Sequence, residues 1–460
     1  MTLDPFNKKE KLFPTYSSSN DSLLILLDKT SKILCKWFSD TEKLSPLPLD
    51  INFNSSVPDE FGCSTDVLFS EIESLIYSSF NPVHPGSLAH LDPPPLMISI
   101  LGDLIAAGLN NNLLANELSP SISLLEESLC KWFSTKLGFS ESAGGIAASG
   151  GTLSNLNALI AARNYAGLET DQNAVFITSD EAHSSFVKCS RIMGLGKNNL
   201  IKVKTNNNGC MDLFDLKKTI DKCYTDGKKI FSIVATLGTT IRGAIDPIKE
   251  IGRICKERNI WLHIDGSIGG IFSITKIPIN GISNVNYANS ITINPQKILG
   301  ITKTSSLLIV SNMKFLKDTF TTGLPYVSSE SNVLNRGELG IQGSRPAEII
   351  KLWLGLRFLG MQGIEEVLNS SIGRRKFFEK NLDSEIYELY SGPLHIISFL
   401  PKGMQKNESD TWTLNKRISL LKNNFMLSRP FFKNRYFLRA VLGNYNTSEA
   451  DIKKLLNLLN

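Results

Sequence analysis

Cysteine is scarce in this sequence and forms no recognisable pair. The 460 residues include seven cysteines, and none of them lies in a C-x-x-C motif. An odd number of cysteines without close pairs disfavours a disulfide framework and suits a reducing compartment. We therefore expect a cytoplasmic protein.

Net charge and long apolar runs are lacking as well. The formal charge is only +5, and the lysines and arginines are scattered among acidic residues, so the composition does not support nucleic-acid binding. No segment approaches the roughly 18 uninterrupted apolar residues of a membrane span. The start, MTLDPFNKKEKLFPTYSSSND, contains charges but no apolar core of a secretory signal. We expect neither a nucleic-acid partner nor a membrane partner.

What the chain does contain is an alternation of strand-like and helix-like segments. From about residue 140, β-rich runs such as AVFITS and IWLHID alternate with helical runs such as DPIKEIGRICKERN. This spacing predicts an α/β fold with a mostly parallel sheet covered on both faces. We expect an extended N-terminal arm over residues 1–115 and a large domain over 116–345. A smaller α+β domain over 346–460 should begin with one long helix in RPAEIIKLWLGLRFLGMQGIEEVL.

The first candidate site is a Gly-Gly-Thr turn that opens a helix, in ASGGTLSNLNALIAARN, residues 148–164. Free backbone N–H groups and the positive end of the helix dipole make such a turn an anion site. Glycine also allows a phosphate to approach the backbone closely. Taken alone, the turn is equally compatible with an ordinary capped helix start.

The second candidate is Asp265, which ends an apolar strand in WLHIDGSIGG, residues 261–270. Open α/β sheets bind ligands at the carboxyl ends of their parallel strands, so this carboxylate should face the ligand crevice. The spacing leaves open a metal ligand, a helix cap or a cofactor contact. We disfavour a metal because we expect His263 to project from the opposite face of the strand, and we predict no metal site.

Two further candidates are His183, in SDEAHSSFVKCSRIMGLG, and Lys297, in NPQKILG. A lone histidine is more often structural, and a lysine in a turn is more often solvated. One cofactor nevertheless needs all four features. Pyridoxal phosphate requires an anion cradle, a carboxylate that keeps its pyridine nitrogen protonated, a flat group stacked on its ring and a lysine that holds its aldehyde as a Schiff base. Together, the four signals predict pyridoxal phosphate.

Longer motifs extend this interpretation from about residue 70 to the C-terminus. They are HPGSLAHLDPPP, ASGGTLSNLNALIAARN, SDEAHSSFVKCSRIMGL, ATLGTTIRGAIDPI, WLHIDGSIGG, NPQKILG, GIQGSRPAEIIKLWLGLRFLG and RYFLRAVLGNYNTSEADI. These segments resemble the group II pyridoxal-phosphate decarboxylases, the family of glutamate, aromatic-amino-acid, cysteine-sulfinate and diaminobutyrate decarboxylases. The resemblance implies a type I, aspartate aminotransferase-like fold and a homodimer whose N-terminal arm packs on the partner subunit. It also implies decarboxylation of an L-amino acid to an amine and carbon dioxide.

The resemblance implies a role for each matching residue. Lys297 would form the Schiff base, Asp265 would pair with the pyridine nitrogen and His183 would stack on the ring. Tyr326 would protonate the substrate carbon after carbon dioxide leaves. The other cofactor contacts would be Gly151, Thr152, Ser290 and Asn294 at the phosphate, Gln296 beside them, Ser267 near the ring, and Thr240, with Thr239 as the alternative, at the ring hydroxyl.

Two residues are candidates for contact with the substrate. Arg439, in RYFLRAVL, matches the arginine that holds a substrate carboxylate through a two-pronged hydrogen bond. His90, in HPGSLAHLDPPP, is equally compatible with a substrate contact and with a structural role. Neither residue separates glutamate, aspartate, diaminobutyrate, cysteine sulfinate and aromatic substrates.

Two motifs depart from the family pattern. The family usually has histidine before the lysine, where this chain has Gln296, and Ala-Ala after the aspartate, where it has Gly266 and Ser267. Glutamine donates a hydrogen bond but does not titrate, so cofactor binding should survive while the proton-transfer steps change. A lyase or aminotransferase on the same scaffold and a non-catalytic relative are the alternatives to a decarboxylase.

Overall fold

The structure, a computed structural model, describes residues 13–14, 16, 20–48, 51, 57, 60–323 and 334–459. A seven-stranded sheet lies at its centre. The strands are β1 (Gly144–Ala148), β2 (Ala174–Ser179), β3 (Leu200–Val203), β4 (Lys229–Thr236), β5 (Trp261–Gly266), β6 (Ser290–Ile293) and β7 (Ser306–Val310). Across the sheet the order is β1-β7-β6-β5-β4-β2-β3. Strands β2 to β6 are parallel, and β7 runs antiparallel to both of its neighbours.

Both faces of this sheet are buried, which explains its nearly continuous apolar strands. Successive residues of a strand point to opposite faces, and accordingly Ile233 and Val234 of β4 belong to separate hydrophobic cores. The helices that follow the arm are α4 (Pro120–Lys136), α5 (Gly151–Tyr165), α6 (Ser185–Ile192), α7 (Leu213–Thr225), α8 (Ile248–Arg258) and α9 (Lys314–Phe320). The predicted α/β class with a mostly parallel sheet is confirmed.

Within the described residues, the N-terminal segment contains the α-helices α1 (Asp21–Ser39), α2 (Thr65–Tyr77) and α3 (Met97–Leu109). Each exposes large apolar side chains, including Leu24, Leu68 and Met97. Among the helices that the structure describes, none combines the length and the apolar composition needed to cross a bilayer.

The C-terminal segment forms a smaller α+β unit. It contains α10 (Ile349–Asn381), β8 (Tyr387–Ser391), β9 (Ile396–Pro401), α11 (Lys406–Lys422), β10 (Phe431–Phe432), β11 (Arg435–Tyr436), β12 (Leu438–Val441) and α12 (Glu449–Asn457). Strands β12, β9 and β8 form an antiparallel sheet in that order. The long helix expected at its start is kinked, because Gly360 adopts a φ of 59°, which glycine accepts without a steric penalty.

A buried ion-pair cluster anchors residues 334–345 to α4 and β1. Glu126 of α4 is fully buried and accepts hydrogen bonds from Arg336 Nε at 3.0 Å and from Arg345 Nη1 at 2.9 Å. The same two guanidinium groups donate to the carbonyls of Gly145 and Ala147 in β1. The cluster therefore joins three segments that are distant in sequence.

We expect Glu126→Ala to lower the free energy of unfolding by about 3–5 kcal/mol, because two buried guanidinium groups lose their counter-charge. Burial by itself raises the pKa of Glu126, but Arg345 and Arg336 hold it below its usual value. Since the folded pKa is the lower one, the stabilisation is complete above the pKa of glutamate in an unfolded chain, about 4.3. It is lost as pH falls through the folded value.

Urea unfolding at neutral and acidic pH measures this contribution. The variant and the wild-type protein should differ at neutral pH and converge in acid. Glu127→Ala is the matched control because Glu127 is the exposed neighbour on the same helix. An equal loss in both variants, or a difference that does not depend on pH, would contradict the assignment.

Candidate active site

The candidate residues from five parts of the chain meet at the carboxyl edge of the large sheet. Asp265 is the second-last residue of strand β5, and Lys297 ends a short 3-10 turn that follows β6. Thr240 lies in the loop after β4, Gly151 begins α5, and His183 lies between β2 and α6. This is the edge at which open α/β sheets bind ligands.

The start of α5 forms a small cradle with two side chains from neighbouring strand ends. Gly150 has a φ of 108°, so the chain turns sharply into the helix. A Cβ placed on Gly151 would lie 2.7 Å from Asn294 Nδ2 and 2.8 Å from Ser267 Oγ. Only glycine therefore leaves room here for a ligand atom, and the helix N-terminus favours an anion. Thr152 follows with an exposed side chain, within the first turn of the same helix.

Asn294 is held in the orientation that such a cradle needs. Its Oδ1 accepts a hydrogen bond from Ser306 Oγ at 2.6 Å, and the Ser306 hydroxyl also bonds with Ser154 Oγ at 2.8 Å. Because the oxygen of the amide faces Ser306, its Nδ2 faces Gly151 and is available as a donor. The donor set suits the phosphate group of pyridoxal phosphate.

Asp265 is a buried carboxylate that accepts two hydrogen bonds. Its side chain is 4% exposed, Oδ2 accepts from Asn155 Nδ2 at 3.1 Å, and Oδ1 accepts from the backbone N–H of Ser267 at 3.1 Å. Burial alone raises the pKa of Asp265, but the positive charge of Lys297, the bond from Ser267 and the nearby His183 bring it below its usual value. The carboxylate is therefore ionised and can hold a proton on a pyridine nitrogen.

Lys297 is half-buried at the end of β6. Burial lowers the pKa of its amine, and the opposing effects of Asp265 and Asp92 only partly offset this. A lowered pKa makes the neutral, nucleophilic amine more abundant, which is what Schiff-base chemistry requires. Asp265 and Lys297 thus lie at the ends of adjacent strands. The carboxylate is suited to the ring nitrogen of the ligand, and the amine is suited to its aldehyde.

His183 presents a neutral, flat ring. Its Nδ1 accepts a hydrogen bond from the backbone N–H of Ser185 at 3.2 Å, so the ring proton sits on Nε2. Burial lowers the pKa of His183, while Asp265 raises it and Lys297 lowers it further. An uncharged imidazole of this kind is suited to stacking on a pyridine ring.

The structure distinguishes between the two threonines after β4. Thr239 is buried, and its Oγ1 accepts a hydrogen bond from Ala244 N at 3.1 Å to close the loop. Thr240 is partly exposed, and its carbonyl accepts from Arg439 Nη1 at 2.6 Å. Of the two threonines, Thr240 is therefore the one whose hydroxyl is not used to close the loop.

Among the residues that the structure describes, Arg439 has no acidic hydrogen-bond partner. Its Nε donates to Ser428 Oγ at 2.8 Å, and its Nη2 donates to the carbonyl of Ala89 at 2.9 Å. Burial lowers the pKa of Arg439 to about 10, so it remains a cation at neutral pH. His90, the residue after Ala89, is exposed. Asp92, two residues further along the chain, forms an ion pair with Lys303.

The structure does not bring Ser290 to the cradle. Ser290 lies at the opposite end of β6 from Asn294, where its Oγ accepts from Trp261 Nε1 at 2.9 Å and bonds with His263 Nδ1 at 2.8 Å. We therefore withdraw it as a phosphate ligand. The expectation for His263 was also wrong: residues two apart in a strand share a face, and His263 lies on the same face as Asp265 through their common partner Asn155.

The roles of the site residues, including Gln296 and Tyr326, stay predictions. The Oε1 of Gln296 accepts from the backbone N–H of Ser305 at 2.5 Å, which ties this side chain to the loop before β7. Tyr326 lies outside the described residues. Across the described ranges, no group of three or more His, Cys, Asp or Glu side chains is arranged to hold a metal ion.

Sequence reasoning missed Asn155, which contacts Asp265. A possible signal was an asparagine at an otherwise apolar position of α5, since Asn155 is only 1% exposed. Its partner is 110 residues away in the chain, so no local pattern identifies the contact.

The fold and this site together define a type I pyridoxal-phosphate enzyme. Residues 47–391 match the family model described as "Pyridoxal-dependent decarboxylase conserved domain", and the chain belongs to that family. It is a pyridoxal-phosphate-dependent decarboxylase, a carboxy-lyase that acts on an amino acid. The predicted family, fold, cofactor and reaction are confirmed.

Individual relatives cover nearly the whole chain. The aromatic-L-amino-acid decarboxylase of Bacillus atrophaeus is 28% identical over 94% of this chain and 92% of its own length. The human cysteine sulfinic acid decarboxylase is 28% identical over 93% of this chain and 91% of its own. A solved structure of Oryza sativa TDC with PLP and tryptamine superposes with a TM-score of 0.89 at 19% identity, covering 97% of this chain and 98% of that one.

Proposed function

We propose that the protein removes the α-carboxylate of a free L-amino acid with Lys297 as the Schiff-base lysine and Asp265 as the partner of the ring nitrogen. The observation that carries this proposal is the placement of Lys297 and Asp265 at adjacent strand ends, where each shifts the pKa of the other. Pyridoxal phosphate supplies the electron sink that accepts the bonding pair when carbon dioxide leaves.

The surrounding residues position that chemistry. Gly151, Thr152 and Asn294 hold the phosphate, while His183 and Thr240 hold the ring. Tyr326 delivers the proton that replaces carbon dioxide on the substrate carbon. The Ser267 hydroxyl borders the cradle at Gly151, and Gln296 stays a proposed contact through its free amide nitrogen.

Carbon dioxide release from a panel of amino acids tests the proposal. The panel contains aromatic amino acids, glutamate, aspartate, cysteine sulfinate and diaminobutyrate, each assayed with added pyridoxal phosphate. We expect at least one substrate to yield amine and carbon dioxide in equal amounts, and none to do so with Lys297→Ala. Consumption of an amino donor without carbon dioxide would favour a lyase or aminotransferase, and absence of a bound-cofactor absorbance band would favour a non-catalytic relative.

We further propose that Arg439 binds the carboxylate of the substrate. Within the described ranges its guanidinium donates to neutral oxygens alone, so its charge is available for a ligand. We expect Arg439→Met to lower kcat/KM roughly 10- to 100-fold, the range for losing a hydrogen bond to a charged group. The loss should appear mainly as a higher KM.

Steady-state kinetics with the best substrate of the panel measure this loss. Arg417→Met is the matched control, because Arg417 is also partly buried and donates to the carbonyl of Leu427. An unchanged kcat/KM for Arg439→Met, or an equal loss in the control, would remove Arg439 from substrate binding. His90 stays a proposed neighbour of the same substrate.

We also propose a homodimer in the cytoplasm. The apolar side chains that α1, α2 and α3 expose, such as Leu24, Leu68 and Met97, are the kind that protein interfaces cover. They support an arm over residues 1–115 that packs on a partner subunit, followed by domains over 116–345 and 346–460. The seven free thiols suit a reducing compartment.

A further inference from the structure

A line of buried polar side chains extends from Asp265 into the protein. Asn155 contacts Asp265, His263 contacts Asn155, Ser290 contacts His263 and Trp261 contacts Ser290. The four heavy-atom distances along this line are 3.1, 3.0, 2.8 and 2.9 Å. His263 and Ser290 are fully buried, and Asn155 and Trp261 are at most 2% exposed.

The sheet register explains why these residues meet. Trp261, His263 and Asp265 occupy alternate positions of β5 and therefore share one face. Ser290 of β6 lies directly opposite His263 in the register of the two strands. Asn155 reaches the same face from α5. Polar side chains at such positions would destabilise the core unless each were hydrogen-bonded.

The direction of every hydrogen bond in the line follows from its two ends. An ionised Asp265 only accepts, so Asn155 must turn its Nδ2 toward the carboxylate and its Oδ1 toward His263. His263 Nε2 must then carry the proton that is donated to Asn155 Oδ1. Nδ1 of the same neutral ring accepts from the hydroxyl of Ser290, which in turn accepts from the indole N–H of Trp261, a group that can only donate.

All four bonds therefore donate toward Asp265. Hydrogen bonds aligned in one direction polarise one another in a low-dielectric interior, which favours the charged form of the carboxylate at their end. The Asn155 amide nitrogen also lies 3.4 Å from Ser185 Oγ, near His183. Burial lowers the pKa of His263 to about 4, in agreement with a neutral ring.

We propose that Asn155, His263, Ser290 and Trp261 are positioning residues that keep Asp265 ionised and aimed at the ring nitrogen of the cofactor. The proposal rests on the proposed role of Asp265 and deepens it. None of the four residues touches the substrate. They act through the carboxylate, so their loss should change the protonation of the cofactor ring and leave substrate affinity intact.

The first measurement is the tautomer of His263 in the protein without cofactor, read by 15N NMR of labelled histidine. We expect the proton on Nε2 and an unprotonated, hydrogen-bonded Nδ1. A proton on Nδ1 would reverse the order of donors and overturn the proposal. The signal of His263 is assigned by its disappearance in His263→Phe.

The second measurement is the ring-nitrogen protonation of bound, 15N-labelled pyridoxal phosphate, together with kcat and KM. We expect His263→Phe to shift the ring nitrogen toward its neutral form and to lower kcat by about tenfold, the effect of about 1.4 kcal/mol, with KM unchanged. His263→Gln places an amide N–H where Nε2 lies and should restore part of kcat. Ser290→Ala removes one oxygen atom and should give a smaller shift of the same sign.

His395→Phe is the matched control. His395 is as buried as His263, and neither of its ring nitrogens has a hydrogen-bond partner within the described residues. An equal effect of the two His→Phe variants, or no shift of the ring nitrogen in both His263→Phe and Ser290→Ala, would overturn the proposal. If His263→Phe does not fold, His263→Gln assigns the histidine signal for the tautomer measurement, and Ser290→Ala measures the shift of the ring nitrogen.

A separate variant keeps this proposal apart from the proposed function. If the ring nitrogen stays protonated in Asp265→Asn, the proposed role of Asp265 itself is wrong. Should Asp265→Asn shift the ring nitrogen while His263→Phe and Ser290→Ala do not, only the positioning role fails.

Discussion

Lys297→Ala is expected to lower carbon dioxide release by roughly 10³-fold or more and to abolish covalent attachment of the cofactor. The lysine amine is half-buried at the end of β6, and burial lowers its pKa. Alanine leaves the phosphate cradle at Gly151 intact, so pyridoxal phosphate should still bind, although reversibly and more weakly. The variant thus separates binding of the cofactor from its covalent attachment.

Borohydride reduction followed by peptide mass spectrometry gives the clearest measurement. Wild-type protein should retain the mass of the reduced cofactor on the peptide that contains Lys297, and the variant should retain none. Lys303→Ala is the control, because Lys303 lies six residues later, is exposed and pairs with Asp92. Attachment at another lysine in the wild-type protein would contradict the assignment of Lys297.

Asp265→Asn should lower kcat by roughly 10³-fold, the scale expected when a buried charge that stabilises the transition state is removed. An amide of the same shape fills the space but cannot hold a proton on the ring nitrogen by charge. The electron sink then weakens, while the substrate still binds. KM should therefore change much less than kcat.

Absorbance and kinetics of the purified variant test this expectation. Asp246→Asn is the control, since Asp246 is also a fully buried carboxylate but accepts its hydrogen bonds from the backbone N–H groups of Met211 and Thr236. Asp265→Glu should recover a measurable part of the activity because it restores the charge. A normal kcat for Asp265→Asn would remove the aspartate from the mechanism.

These two expectations concern residues that local sequence patterns were enough to propose. Asp265 ends an apolar strand and Lys297 follows another, and side chains at such ends meet at one edge of a parallel sheet. The Gly-Gly-Thr turn is local too, because a few consecutive residues determine the conformation of a helix start. For each of these features, the adjacent residues in the sequence largely determine the local conformation.

One assignment failed and one alternative stayed open where the answer depended on packing. The family resemblance placed Ser290 at the phosphate together with Asn294, but Ser290 begins a four-residue strand and Asn294 follows its other end. The choice between Thr239 and Thr240 needed the hydrogen bond that Ala244 donates to Thr239. The kink at Gly360 was missed because an isolated glycine in a helical pattern is usually tolerated.

By itself, the sequence determined the α/β class, and it was enough to propose the phosphate turn, Asp265 and Lys297, since each follows from periodicity or a short motif. Only the tertiary structure decided what lies behind Asp265. His263 and Asn155 are 108 residues apart and His263 and Ser290 are 27 apart. Strand register and the placement of α5 bring them together, and contacts over such separations leave no mark on the local pattern.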